Sequence, residues 1–314
     1  MSNDNAKVPM TEEENPFRRA LQGLGVIEEY ADQPPEPLTP LDLLQRLHSP
    51  PLNSNDWVFR GQNYPWHLRP SIERIIEPRR LRSVENTLLK EFMSRVHQYT
   101  RDPPNEDDEL SCLALMQHHG APTRLLDWSL SPFVAAFFAV ERPPREDPPQ
   151  PPVIWAVNRR RLVEDIQRVV RFEDPSVPPD QVAKAKELLR MMPPAPDPFQ
   201  PLEITLLKRR SPSQRPVVVP AQPSRMSERL SVQQGVFLRV NPTGWLLEDA
   251  LRYVLAKQGD ASCRALHKLQ VNPNGRLQLI NELQRMNITA ESLFPGLDGF
   301  ARSLMTRAEI LGAR

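Results

Sequence analysis

The chain is short of cysteine, has no excess of either charge and lacks long apolar runs, and each shortage removes a class of protein. Two cysteines in 314 residues, Cys112 and Cys263, cannot build a disulfide framework, and neither stands in metal-ligand spacing. A reducing, cytoplasmic setting without a bound metal is therefore expected. With 40 Lys+Arg against 39 Asp+Glu, the surface as a whole exerts no strong pull on nucleic acid or membrane, although local basic patches can. No uninterrupted apolar stretch reaches the roughly 18 residues of a membrane span, and Met1 to Lys7 has no signal-peptide character. A soluble protein without a membrane partner is expected. There is no internal repeat and no heptad series.

Proline is the residue in excess: 36 of 314, about twice the usual roughly 5%. It clusters at Pro34 to Pro40, Pro103 to Pro104, Pro143 to Pro152, Pro175 to Pro179, Pro193 to Pro201 and Pro212 to Pro223. Each cluster removes backbone donors and disfavours helix just before it, so these are read as loops and insertions.

Between them the periodicity predicts mixed α+β. Residues 1–15 are polar and read as a disordered tail, and 16–50 as a helical segment holding a helix from Pro16 to Leu24 and one capped by Thr39-Pro40 with Leu41, Leu44 and Leu47 inward. Trp57 to Gly61 reads as a strand. Helices follow from Ser83 to Val96, Glu109 to Gln117 and Pro132 to Val140, then a buried strand from Val153 to Val157. Helices are read at Arg159 to Val170 and Gln181 to Met192, and strands at Ile204 to Leu207, Val217 to Val219 and Val232 to Val240, with Gly235 a bulge or close approach. Helix Glu248 to Lys257, strand Ala265 to Val271, helix Asn274 to Met286 and helix Gly299 to Ile310 complete the order.

The chemistry concentrates between Gln117 and Ala139, where His118, His119, Arg124 and Asp127 run directly into an apolar helix. These charges must pair internally or face a ligand. Arg60 can pair with Asp127 or bind an anion, and Arg124 suits a local pair with Asp127. His118 suits a structural role or a ligand contact. Trp128 is core or a stacking surface. Ser129 is an N-cap or an orienting hydroxyl, and Gln233-Gln234-Gly235 a bulge or a polar contact. Phe133, Val134, Phe137 and Phe138 are core.

Three blocks resemble the FRG domain family: Trp-Val-Phe-Arg-Gly-Gln at 57–62, Gln-His-His-Gly-Ala-Pro-Thr-Arg-Leu-Leu-Asp-Trp-Ser at 117–129, and Arg-Leu-Ser-Val-Gln-Gln-Gly-Val-Phe at 229–237. Ser-Leu-Phe-Pro-Gly-Leu-Asp-Gly-Phe at 292–300 is similar to the closing helix of that family. The resemblance implies an FRG domain over 51–305, with proline-rich insertions around 141–152 and 171–225 and a tail at 306–314. More distantly, Phe59-Arg60-Gly61 and Asp127-Trp128-Ser129 leading into Pro132 resemble the first two motifs of NAD-dependent ADP-ribosyltransferases.

That second resemblance implies a small split or twisted mixed sheet flanked by helices, with NAD as substrate. Arg60 would fork onto phosphate, Gly61 would hold the nicotinamide amide through its backbone, and Ser129 would support both. Gln62, His118, Thr123, Arg124 and Trp128 complete the implied binding set. The third motif of those enzymes carries a glutamate that stabilises the cationic ribose; here the matching stretch offers Gln233 and Gln234, with Glu228 and Asp127 as alternative carboxylates. The implied function is transfer of ADP-ribose to a protein or nucleic-acid acceptor, as in a toxin or phage-defence effector. The alternative is an inactive nucleotide-binding or sensing module.

Overall fold

A computed structural model describes residues 36–77, 80–144, 149–172, 216–241, 245–256 and 265–312. The expected tail at 1–15, the helices at 16–24 and 181–192, the strand at 204–207 and most of the 171–225 insertion lie outside the described residues. Among the described residues six antiparallel strands form one sheet: β1 (Trp57–Gln62), β2 (Leu126–Ser129), β3 (Val153–Asn158), β4 (Val217–Ala221), β5 (Gly235–Asn241) and β6 (Leu266–Gln270), in the order β4-β5-β2-β1-β3-β6. The helices are α1 (Pro40–His48), α2 (Leu81–Val96), α3 (Glu109–His118), α4 (Pro132–Val140), α5 (Arg159–Phe172), α6 (Glu228–Val232), α7 (Leu247–Ala256), α8 (Arg276–Arg285), α9 (Ala290–Leu293) and α10 (Leu297–Gly312).

Alternation along the strands sorts side chains into two main cores. Trp57, Phe59, Ile154 and Ala156 pack with α1, α4, α8 and α9, while Val58, Val153, Trp155 and Val157 pack on the opposite face with α5 and α7. A strand buried on both faces needs apolar residues at every position, which is why 153–157 reads as a continuous apolar run. A smaller cluster of Leu110, Leu113, Leu125, Ala221 and Phe237 lies under α3.

Local chemistry sets the boundaries. Thr39 Oγ1 accepts from the Asp42 N–H and Ser131 Oγ from the Val134 N–H, so α1 and α4 both begin at a hydroxyl cap followed by proline. In α1 the inward residues are Leu43, Leu44 and Leu47, and Leu41 is 70% exposed. The strand expected at Val232 begins instead at Gly235. Ser227 caps the five-residue helix α6, and Gln234 turns with φ +48° before β5. Gly235 is a close approach, since a Cβ there would meet Leu230 Cδ1 at 2.1 Å. The last helix starts at Leu297 and continues through 306–312, the stretch expected as tail.

The sheet is nearly divided. β1 pairs with β3 along its whole length and β2 with β5 along its whole length, but β1 and β2 share one partnered position, Phe59↔Ser129. The result is two three-stranded halves, β4-β5-β2 and β1-β3-β6, meeting at one point.

Candidate functional site

The gap between β1 and β2 opens into a cleft of about 1340 Å³, above the roughly 300–1,000 Å³ usual for small-molecule pockets. Backbone direction follows from the ladder alternation. Asn158 donates to Ala265 on the β6 side and Leu130 to Gln234 on the β5 side. Phe59 and Gly61 on β1, and Asp127 and Ser129 on β2, therefore turn their backbone groups toward each other. Phe59 and Ser129 are partnered; Gly61 faces the gap.

Arg60 spans it. Its Nη1 donates to the carbonyl oxygen of Asp127 at 2.5 Å, while its buried Nε has no partner. Burial pushes its pKa below the ordinary arginine value, the Asp127 charge opposes this and Arg74 adds to it; the group stays cationic. The contact is to the backbone of Asp127, so the carboxylate is not consumed by it.

That carboxylate is positioned by residues the chain places just before it. Thr123 Oγ1 donates to Gln117 Oε1, and Gln117 Nε2 donates to Asp127 Oδ1 at 2.8 Å. Thr123 is itself held by Ser71, whose Oγ accepts the Thr123 N–H at 3.1 Å. α3 stops at His119 because Gly120, at φ +86°, reverses the chain. The motif thus folds back so that its first residue, Gln117, meets its eleventh, Asp127. Asp127 is exposed in the cleft, and its Oδ2 accepts no hydrogen bond from a described residue.

Ser129 is buried at the joint of the two half-sheets. Its Oγ donates to the Gln233 carbonyl at 2.7 Å and accepts the Ser131 N–H at 3.0 Å; the cap of α4 is Ser131. Gln233 lines the cleft but spends an amide N–H on the Leu293 carbonyl at 2.9 Å. His118 is exposed on the cleft wall, edge-on to His119 with ring centroids 5.0 Å apart. Burial lowers its pKa first, with His119 and Arg229 adding to it.

Other expected site residues serve elsewhere. Gly61 lines the cleft, yet its missing side chain is a packing requirement: a Cβ would lie 1.8 Å from Ala135 O and 2.6 Å from Ala139 N, on the backbone of α4. Gln62 also reaches the cleft wall, but its Oε1 accepts from Trp155 Nε1 at 2.8 Å. Trp128 packs in the core with Val58 and Trp155 and is 3% exposed.

Thr123 is fully buried and does not line the cleft. Arg124 pairs with Glu85 of α2 rather than with Asp127. Glu85 Oε1 accepts the Arg124 backbone N–H at 2.7 Å, and Oε2 accepts Nε at 2.6 Å and Nη2 at 2.5 Å. A buried carboxylate with three donors is a structural anchor. Glu228 and Gln234 are exposed and outside the cleft wall.

The structure therefore brings together Arg60, Gly61, Gln62, His118, Asp127, Trp128, Ser129 and Gln233, and leaves out Thr123, Arg124, Glu228 and Gln234. The cleft wall also carries Gln117 and Arg229, which open two of the blocks that resemble the FRG family and for which the sequence alone implies no site role. Among the described residues no group of three or more His, Cys, Asp or Glu side chains could hold a metal, and no helix is long and apolar enough to cross a membrane.

An FRG domain is present: the family model of that name matches residues 55–148, which include β1, β2 and α4 and so both walls of the gap. Neither the curated proteins nor the solved structures yield a match to the chain.

Proposed function

We propose that this FRG-domain protein binds NAD in the cleft between β1 and β2 and transfers its ADP-ribose to a macromolecular acceptor. The observation that carries the reading is the divided sheet. It leaves the backbone of Gly61 facing an open cleft whose walls bear Arg60, Asp127, Ser129 and Gln233. A strand backbone with unladdered groups suits a carboxamide, and a partly engaged guanidinium suits a phosphate.

In such a transfer the bond from ribose C1′ to nicotinamide breaks, its electron pair leaves with nicotinamide, and the acceptor's nucleophile bonds to C1′ and loses a proton. Positive charge develops on the ribose. Of the three carboxylates on the cleft wall, Asp102 pairs with Arg225 and Glu141 with Arg302, each at 2.8 Å. Among the described carboxylates of the wall, Asp127, held by Gln117 through Oδ1, is the one left to stabilise that charge or take the acceptor's proton.

Nicotinamide release from NAD, with calorimetry for NAD binding, tests this. Arg60→Ala and Asp127→Asn are each expected to lower turnover on the order of 10²-fold or more while the protein stays folded. Wild-type protein that neither binds NAD nor releases nicotinamide would sink the reading. A second reading, a nucleotide sensor without turnover, draws on the exposed position of Glu228 and on the Gln233 amide being engaged by Leu293. It predicts NAD or ADP-ribose binding with no nicotinamide released.

A further inference from the structure

The cleft is far more basic than the chain. Against a net formal charge of +1 for the whole sequence, its wall carries seven arginines and three carboxylates. Arg225 and Arg302 are closed by Asp102 and Glu141, and Arg60 is tied to the Asp127 carbonyl. Arg74 donates to the Arg69 carbonyl oxygen, and Arg69 and Arg142, like Arg229, have no ion pair with a described residue; Arg229 differs from them in being stacked on an aromatic ring. Arg229 is exposed on the cleft wall, and its guanidinium makes no hydrogen bond or ion pair with a described residue.

Arg229 is nonetheless held in place. Its guanidinium lies 4.7 Å from the centroid of the Phe294 ring, and Arg302 lies 3.8 Å from the same centroid. A cation over an aromatic face is attracted by the ring quadrupole, which biases the fork toward this position without using its N–H donors. Two guanidiniums on one ring repel; Glu141 pairs with Arg302, and the Asp127 charge acts on Arg229 without a hydrogen bond to its guanidinium. Burial is the main force lowering the Arg229 pKa; the Asp127 charge opposes it and Arg302 reinforces it. Arg229 and Arg60 thus each sense the Asp127 charge.

We propose that Arg229 is an anion receptor of the cleft and takes a phosphate of a pyrophosphate-containing nucleotide. This rests on reading the cleft as a nucleotide site and adds a second guanidinium to it. A planar fork presents paired donors to phosphate oxygens, which a lysine at the same place cannot do. The bulk of Phe294 on one side limits the fork to approach from the cleft.

Calorimetry of the full chain with ADP-ribose, inorganic pyrophosphate and adenosine tests it. Arg229→Gln is expected to weaken ADP-ribose and pyrophosphate on the order of ten- to a hundredfold and to leave adenosine unchanged. Arg229→Lys, which keeps the charge and loses the fork, is expected to fall between and to guard against a folding defect in the first variant. Equal ADP-ribose affinity in wild type and both variants overturns the proposal even where wild type releases nicotinamide, and the transfer reading then stands without it. Wild type that binds adenosine but neither phosphate probe overturns it too. Pyrophosphate binding that depends on Arg229, with no nicotinamide released, supports the anion receptor and refutes transfer.

Discussion

Gly61→Ala separates two reasons for a glycine at the edge of the cleft. If the residue is needed only so that a ligand can approach the backbone, alanine leaves a stable protein that binds poorly. The geometry argues otherwise. The new Cβ would lie 1.8 Å from Ala135 O and 2.6 Å from Ala139 N, where ordinary contact begins near 3.4 Å. Both neighbours are backbone atoms, so no rotamer change relieves the clash. α4 must retreat by roughly 1.5 Å from a strand it packs against so closely. Its far side is no freer, because Val134, Ala135, Ala136, Phe137, Ala139 and Val140 are all buried. Overpacking of this kind costs about 1–3 kcal/mol and occasionally more, and two backbone contacts place the expectation at about 3 kcal/mol. Urea unfolding measures it as a lowered midpoint at unchanged slope. Gly120→Ala is the comparison: φ is +86° but nothing lies within 4 Å of its added Cβ, so strain alone, about 1–2 kcal/mol, applies. A Gly61→Ala protein within about 0.5 kcal/mol of wild type would refute the packing argument.

Two further outcomes concern charge under the motif. Glu85→Gln leaves the buried Arg124 guanidinium without its counter-ion and is expected to cost about 3–5 kcal/mol, with part recovered in Glu85→Gln/Arg124→Met; a loss under about 1 kcal/mol in urea unfolding would show that the pair is not an anchor. Glu73, whose Oε2 is buried without a partner, has its pKa raised from 4.5 to about 8, chiefly by burial, against the pull of Arg124 and Arg69. An acid raised in the folded state favours folding below its unfolded pKa, and that contribution is lost as pH rises from about 4.5 to about 8. Glu73→Gln, which keeps the neutral shape, should therefore match wild type near the low end of that window and become relatively more stable toward the high end. Parallel stability-pH curves for the two proteins would contradict this.

Local chemistry was legible in the sequence where it was complete within a few residues. Thr39-Pro40 and Ser131-Pro132 announce helix starts, and the run from Val153 to Val157 announces a strand buried on both faces. The partners of the motif were legible only in part. Arg124, in the loop before β2, finds Glu85, 39 residues upstream on α2, and no spacing rule connects them; Asp127, three residues away, is the partner that spacing suggests. Gln117 and Asp127 are ten residues apart, and only the reversal at Gly120 brings them together. The turn before β5 was missed because Val232 continues the apolar pattern backward, whereas Ser227 and the left-handed Gln234 close a short helix there.

With one backbone position shared between β1 and β2, the two half-sheets gain little alignment from their own ladder. The coupling passes instead through α4, which leaves β2 after two intervening residues and lies on Gly61 of β1. The width of the cleft is thus set by the thickness of a helix backbone and the absence of one methyl group. Substitutions on the buried face of α4, far from any ligand atom, should tune the opening as directly as changes in its walls.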